Sequence, residues 1–161
     1  MRAGARPVRM GEFGVARDGE VLAAVGLGSC IGIALLDPQA RVAGLAHVLL
    51  PDPPPGRDGS PGRYASTAVP ALLSELLAAG AARERVVAKM AGGASMFRGL
   101  STGAVGAVGE RNADAVRRAL DHLGIPLVGE DVGGSWGRTV YVQARDAAYV
   151  VTNVLREDVV L

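Results

Sequence analysis

The tetrapeptide Asp37-Pro38-Gln39-Ala40 separates two apolar runs, Ile31–Leu36 and Arg41–Leu49. Aspartate first and proline second is the preference of a type I turn, and four-residue hairpin loops are most often built on that turn. The segment is therefore expected to form a β-hairpin closed by Leu36 and Arg41. Such a hairpin sets Leu35 opposite Val42, Ile33 opposite Gly44 and Cys30 opposite His47. Directly opposed residues have Cβ atoms about 4.5–5.5 Å apart, close enough for a thiol and an imidazole to share a proton. A slip of one residue would send the two side chains to opposite faces. Gly32, Ala34 and Ala43, expected on the same face, are small and leave space for a substrate group.

Composition makes that pairing conspicuous. The chain has 161 residues, 49% of them hydrophobic, with a single cysteine and two histidines. This length and apolar content suit one domain over residues 1–161 with its own core. Seventeen basic against 16 acidic side chains give a formal charge of +1, which supplies no basic excess for phosphate backbones, so no nucleic-acid partner is expected. One cysteine can form neither an internal disulfide nor a cysteine-rich zinc site, and no metal is expected. The opening MRAGARPVRMGEFG has no apolar signal region, and no apolar run approaches the ~18 residues of a membrane span. A cytoplasmic protein, not embedded in a membrane, is the expectation, and it suits an unpaired thiol. Taken singly, a lone cysteine or histidine is more often core filler; their joint placement by the hairpin weighs against that reading.

Other segments fill in an α+β plan. Strands are expected around Val8–Val15, Val21–Leu27, Arg85–Met90, Pro126–Asp131, Arg138–Ala144 and Tyr149–Leu155. Leu72, Leu73, Leu76 and Leu77 give one apolar face to a helix over Ser66–Ala79, in which Pro70 is tolerable only in the first turn. A second helix is expected from a cap at Asn112 to Leu123, stopped by Gly124. Asp52–Arg63 reads as a loop that could cover a site, and Ala94–Gly109 is left open. Strands at both ends with helices between them argue against regular strand–helix alternation.

A thiol beside an imidazole suits acyl transfer. The imidazole withdraws the thiol proton, and glycine-rich backbone near the nucleophile offers N–H groups to a developing oxyanion. Gly26, Gly28 and Ser29 are the candidates for that support. No cofactor is required. Gly28-Ser29-Cys30-Ile31-Gly32 also fits a nucleophile elbow, but that motif needs a following helix where Ile31–Leu36 reads as a strand. Gly26-Leu27-Gly28 lacks the third glycine of a dinucleotide fingerprint. His122 reads as a solvated helix residue, and Trp136 as either a partner anchor or a lid on the core.

With these residues in view, the chain resembles the CheD family of chemoreceptor glutamine deamidases. The resemblance is carried by LGSCIGIALLDP (Leu27–Pro38), GLAHVLLP (Gly44–Pro51), AKMAGGASMF (Ala88–Phe97), GERN (Gly109–Asn112) and DVGGSWGR (Asp131–Arg138). It implies a mixed-sheet β-sandwich with helices packed on the outer faces, of cysteine-hydrolase type. It also implies hydrolysis of glutamine side chains on the cytoplasmic helices of methyl-accepting chemoreceptors, with Cys30 and His47 catalytic. Receptor helices are then a partner, and a CheC-type phosphatase of CheY is a second one. The family's third catalytic position, a threonine six residues before the cysteine, is Ala24 here. An active deamidase is the first expectation; the alternative, favoured by Ala24, is a weakly catalytic docking partner and regulator of a CheC-type phosphatase at the receptor.

Overall fold

Short apolar runs between turn residues fold, in a computed structural model that describes residues 3–57, 59–95 and 107–161, into ten strands and two α-helices. In chain order these are β1 (Arg6–Pro7), β2 (Phe13–Arg17), β3 (Val21–Leu27), β4 (Ile31–Asp37), β5 (Val42–Val48), α1 (Ala65–Ala78), β6 (Val87–Gly92), α2 (Val108–Leu123), β7 (Leu127–Val132), β8 (Arg138–Gln143), β9 (Ala148–Asn153) and β10 (Arg156–Val160). The first sheet has the order β1-β3-β8-β9-β10 and the second β2-β5-β4-β6-β7. Parallel pairs (β1 with β3, β6 with β7) sit beside antiparallel ones, so both sheets are mixed.

Alternation along β4 and β5 splits the core into two layers. Ile31, Ile33 and Leu35 of β4, with Val42, Ala46 and Val48 of β5, pack against α1 and α2. Ala34 and Leu36, with Ala43 and Leu45, face Leu22, Leu27, Val140, Val142 and Tyr149 of the first sheet. The result is the α+β sandwich of mixed sheets, with both helices on the outer face of the second sheet. Among the described residues no helix is long and apolar enough to cross a membrane.

The hairpin register differs from the expected one by two residues. Asp37 stays in the strand opposite Val42, so Gly32, not Cys30, pairs with His47. Two features move the turn one residue along. The Asp37 carboxylate accepts from the N–H groups of Gln39 and Ala40 at 3.1 and 3.2 Å, and Arg41 takes the left-handed conformation at φ 52°. The loop is thus Pro38–Arg41. Because the shift is even, every side chain keeps its expected face.

Three further expectations are corrected. Met10 and Gly11 form a turn, Gly11 with φ 77°, so the Val8–Val15 run is not one strand. Instead β1 joins the first sheet and β2 the second. Pro70 lies in the sixth position of α1, beyond the first turn. Proline cannot donate to the Ser66 carbonyl there, but both residues are exposed, so that helix end lies where solvent can satisfy the group. Asn112 is not a cap: α2 begins four residues earlier and buries Asn112 completely. Asp52–Arg63 has no regular structure beyond a single turn at Pro61–Arg63 among its described residues. Met96 and Phe97, and most of the Ala94–Gly109 region, lie outside the described residues.

Candidate active site

Cys30 stands in the three-residue connection between β3 and β4. β3 ends in a bulge between Ala24 and Leu27, where Gly26 takes φ 75°. Beyond it the chain is held by its carbonyls. The Gly28 oxygen accepts from Ala94 N–H at 2.8 Å, and that of Cys30 from Gly93 N–H at 2.8 Å. The Ser29 oxygen accepts from the Asn112 side chain at 2.9 Å, and that of Gly32 from the Tyr149 hydroxyl at 2.6 Å. Gly92, with φ 121°, is required by this packing, since a Cβ there would run into the Cys30 carbonyl oxygen. Among the described residues no backbone carbonyl takes the amides of Gly28, Ser29 or Cys30. The segment is thus anchored through its acceptors, while no described carbonyl claims its amides, the polarity an oxyanion site needs.

His47 is buried to 1% exposure. Alternation turns it, with Ala43 and Leu45, toward the layer between the sheets, where Cys30 also packs. The register makes the two diagonal neighbours across the hairpin, a relation of about 7–8 Å between backbones, and no hydrogen bond joins their side chains. The His47 Nδ1 lies 3.4 Å from the Val8 carbonyl oxygen. A carbonyl only accepts, so this contact places the proton on Nδ1 and leaves Nε2 with its lone pair. Nε2 is buried and has no hydrogen-bond partner among the described residues. Ala24 is buried in the same layer, and its methyl can offer His47 no hydrogen bond.

Burial pushes the Cys30 thiol above its ordinary value, offset in part by its own backbone N–H. Burial likewise pushes His47 down, against the Val8 carbonyl, which favours the protonated ring. Both groups therefore rest neutral. An imidazole in this state is a base waiting for a proton rather than half of a standing ion pair.

Four contributors escaped the sequence. Asn112 carried an asparagine's capping signal, which pointed to the wrong role. Val8 acts through its main chain and Tyr149 through a bond 117 residues distant; neither leaves a local signature. Arg138, buried to 2%, pairs with Asp131 at 2.9 Å and donates to the Gly133 carbonyl at 2.8 Å. It thereby fixes the glycine turn whose Gly133 N–H and Gly134 carbonyl bind Gly92 and Ser95. Trp136 folds over that turn, with the Arg138 guanidinium 5.2 Å from its ring centre. His122 is exposed on α2. A cleft of about 410 Å³ opens beside Gly93, lined also by Ser95, Glu110, Asp114 and Gly134. Among the described residues no three His, Cys, Asp or Glu side chains form a group able to hold a metal.

Two mixed sheets thus enclose a layer that receives one thiol and one imidazole, both neutral at rest. Comparison with known proteins shows the family to which this sandwich belongs. Residues 49–153 match the family model described as CheD chemotactic sensory transduction, and the chain belongs to the CheD family. That span begins just past His47, so the geometry of Cys30 and His47 stands on register, burial and hydrogen bonding. Relatives extend the similarity. A protein of Geobacter metallireducens named probable chemoreceptor glutamine deamidase CheD 2 is 50% identical over 135 residues, 83% of each chain. One of Archaeoglobus fulgidus, named probable chemoreceptor glutamine deamidase CheD, is 46% identical, covering 89% of this chain and 90% of its own. The chemoreceptor glutamine deamidase CheD of Thermotoga maritima is 42% identical, covering 91% and 90%.

Proposed function

We propose that this protein hydrolyses glutamine side chains of chemoreceptors to glutamate, with Cys30 as nucleophile and His47 as general base and acid. The observation that carries the mechanism is the state of His47: Nδ1 held by the Val8 carbonyl, and Nε2 without a partner among the described residues in the layer that also receives Cys30. Nε2 takes the Sγ proton as Sγ bonds to the amide carbon. The carbonyl oxygen becomes an oxyanion facing the amides of the Gly28–Cys30 segment. The C–N bond then breaks, Nε2 returns its proton to the nitrogen, and ammonia leaves a thioester. Water attacks the thioester after losing a proton to Nε2, Sγ departs and is reprotonated, and glutamate is released.

In this reading the Val8 carbonyl does the orienting that a side-chain hydroxyl at position 24 would do, so Ala24 does not abolish turnover. The cleft beside Gly93 is the approach for a receptor helix, and the reaction takes place in the cytoplasm. Neither a metal nor an organic cofactor enters any step. A second reading is favoured by Ala24 itself: a protein that docks on receptors and on a CheC-type phosphatase with little catalysis of its own.

Intact-mass analysis of a glutamine-containing receptor fragment separates the two. Wild type is expected to convert amide to acid, with the gain of about one mass unit per site that hydrolysis demands, while Cys30→Ala and His47→Ala do not. Tight receptor binding without conversion by wild type selects the docking role. Conversion that persists in Cys30→Ala overturns the nucleophile assignment.

A further inference from the structure

We infer that Asn112 is a positioning residue that locks the nucleophile's segment and the histidine's segment into one fixed relation. The inference rests on the roles proposed for Cys30 and His47. Asn112 lies inside α2 with no exposed surface. Its Nδ2 donates to the Ser29 carbonyl at 2.9 Å and to the Leu49 carbonyl at 2.8 Å. Ser29 immediately precedes Cys30, and Leu49 follows His47 by two residues. One side chain thus bonds both segments.

The amide's orientation is set by chemistry. A half-turn would put Oδ1 against two carbonyl oxygens that can only accept. Oδ1 itself has no donor among the described residues, so the side chain is buried for the sake of its two N–H bonds. An orphaned acceptor is a poor choice for packing alone, where an apolar residue of equal shape would do better.

Gly109 explains how α2 comes close enough. It lies one turn before Asn112 on the same face, and a Cβ there would strike the carbonyls of Gly93 and Ala94. The amides of those two residues hold the Cys30 and Gly28 carbonyls. The first turns of α2 therefore support the cysteine loop twice, once through residues 93–94 and once through Asn112. Of these two supports, the Asn112 bonds also reach the Leu49 carbonyl just beyond the histidine strand. Loss of them frees the loop to shift relative to Nε2 without uncovering the core.

Steady-state kinetics on the receptor fragment, with Asn112→Leu and Asn112→Asp, test this. Asn112→Leu removes both donors at similar volume, and Asn112→Asp leaves at most one. The expected result is a fall in kcat of about 100-fold, the cost of misplacing a reacting group by about an ångström. KM is expected to stay within about threefold, because no receptor contact is lost. The pH profile of Cys30 alkylation by iodoacetamide is expected to shift in both variants and not in Arg118→Ala, an exposed change elsewhere on α2. Folded variants with kcat within about threefold of wild type overturn the inference.

A measurement on the unaltered chain stands in if the variants do not fold. With asparagine-labelled protein, the Asn112 side-chain amide protons are expected to exchange slowly with solvent and to shift when Cys30 is alkylated. Fast exchange, or no shift, overturns the inference. Cys30→Ala separates the positioning role from the catalytic reading beneath it. Its inactivity alongside fully active Asn112 variants defeats only the positioning role, whereas its retained activity defeats the reading of the site and this inference together.

Discussion

The β4–β5 hairpin has two polar ends, and they are finished differently. At the turn, Asp37 is fully buried with its acceptors in use: Arg85 reaches it at 3.0 and 2.8 Å and Ala82 N–H at 2.8 Å, in addition to Gln39 and Ala40. Burial alone would raise this carboxyl's pKa. The bonds from Arg85, Ala82 and Ala40, together with the Arg85 charge, bring it down to about 2. At the open end, His47 and Asn112 each bury a polar atom that has no partner among the described residues, and burial drives both Cys30 and His47 toward their neutral forms. One end is saturated and acts as an anchor; the other is left short of hydrogen bonds where chemistry is expected. A buried group that lacks a partner costs stability but keeps a lone pair available.

This contrast can be broken at either end. The largest effect is expected from Asp37→Ala, which strands a third-exposed Arg85 and the Ala82 amide. A loss of about 3 kcal/mol in urea unfolding is expected, chiefly from the Gln39, Ala40 and Ala82 amides that lose their acceptor, with kcat unchanged at temperatures where the variant is folded. A loss below about 1 kcal/mol would remove the distinction between the two ends. Gly92→Ala comes next. Its methyl would push on the Cys30 carbonyl from a backbone at φ 121°, so deamidation is expected to fall by about 100-fold. Wild-type rates in that variant would show that the loop need not be held where it is.

Stability against pH separates the ends by window. His47 is held below its ordinary 6.5, so under that value the unfolded chain takes up a proton that the folded one resists. The fold therefore weakens as pH drops below 6.5. Asp37 is held at about 2 against 3.8; its contribution is full above 3.8 and is lost as pH falls toward 2. A plot of melting temperature against pH is expected to show both declines, the upper one absent in His47→Gln and the lower one absent in Asp37→Asn. The reverse assignment would contradict the burial of His47 and the pairing of Asp37 with Arg85. Ala24→Thr, with Ala24→Ser as the smaller change, is expected to alter kcat by less than about threefold, because Nδ1 already has the Val8 carbonyl. A tenfold gain, on the scale expected of an orienting group, would mean that this 3.4 Å contact is not enough.

How much of this the chain disclosed in advance follows from the range of each interaction. Period-two alternation in Ile31–Leu36 and around His47 is local, so both strands and the shared face were legible. The register was not. The Asp37 carboxylate is held from 45 and 48 residues downstream, and no turn preference reports on that. Cys30 and His47 stood out because the chain has one cysteine and two histidines. Asn112 was assigned by the short-range capping rule, while the carbonyls it serves lie 83 and 63 residues away. Val8 contributes a main-chain oxygen, which every residue has and no sequence pattern marks.

The same distances determine when the site comes into being. The cysteine loop and the histidine depend on Val8 near one end of the chain and Tyr149 near the other, with residues 92–94 and 112 between them. Contacts so remote in sequence form late in folding, after their loop-closure entropy has been met. A chain emerging from the ribosome thus carries its thiol and imidazole long before anything aligns them. Until the late strand β9 is seated and Tyr149 reaches Gly32, the segment around Cys30 lacks one of the bonds that hold it.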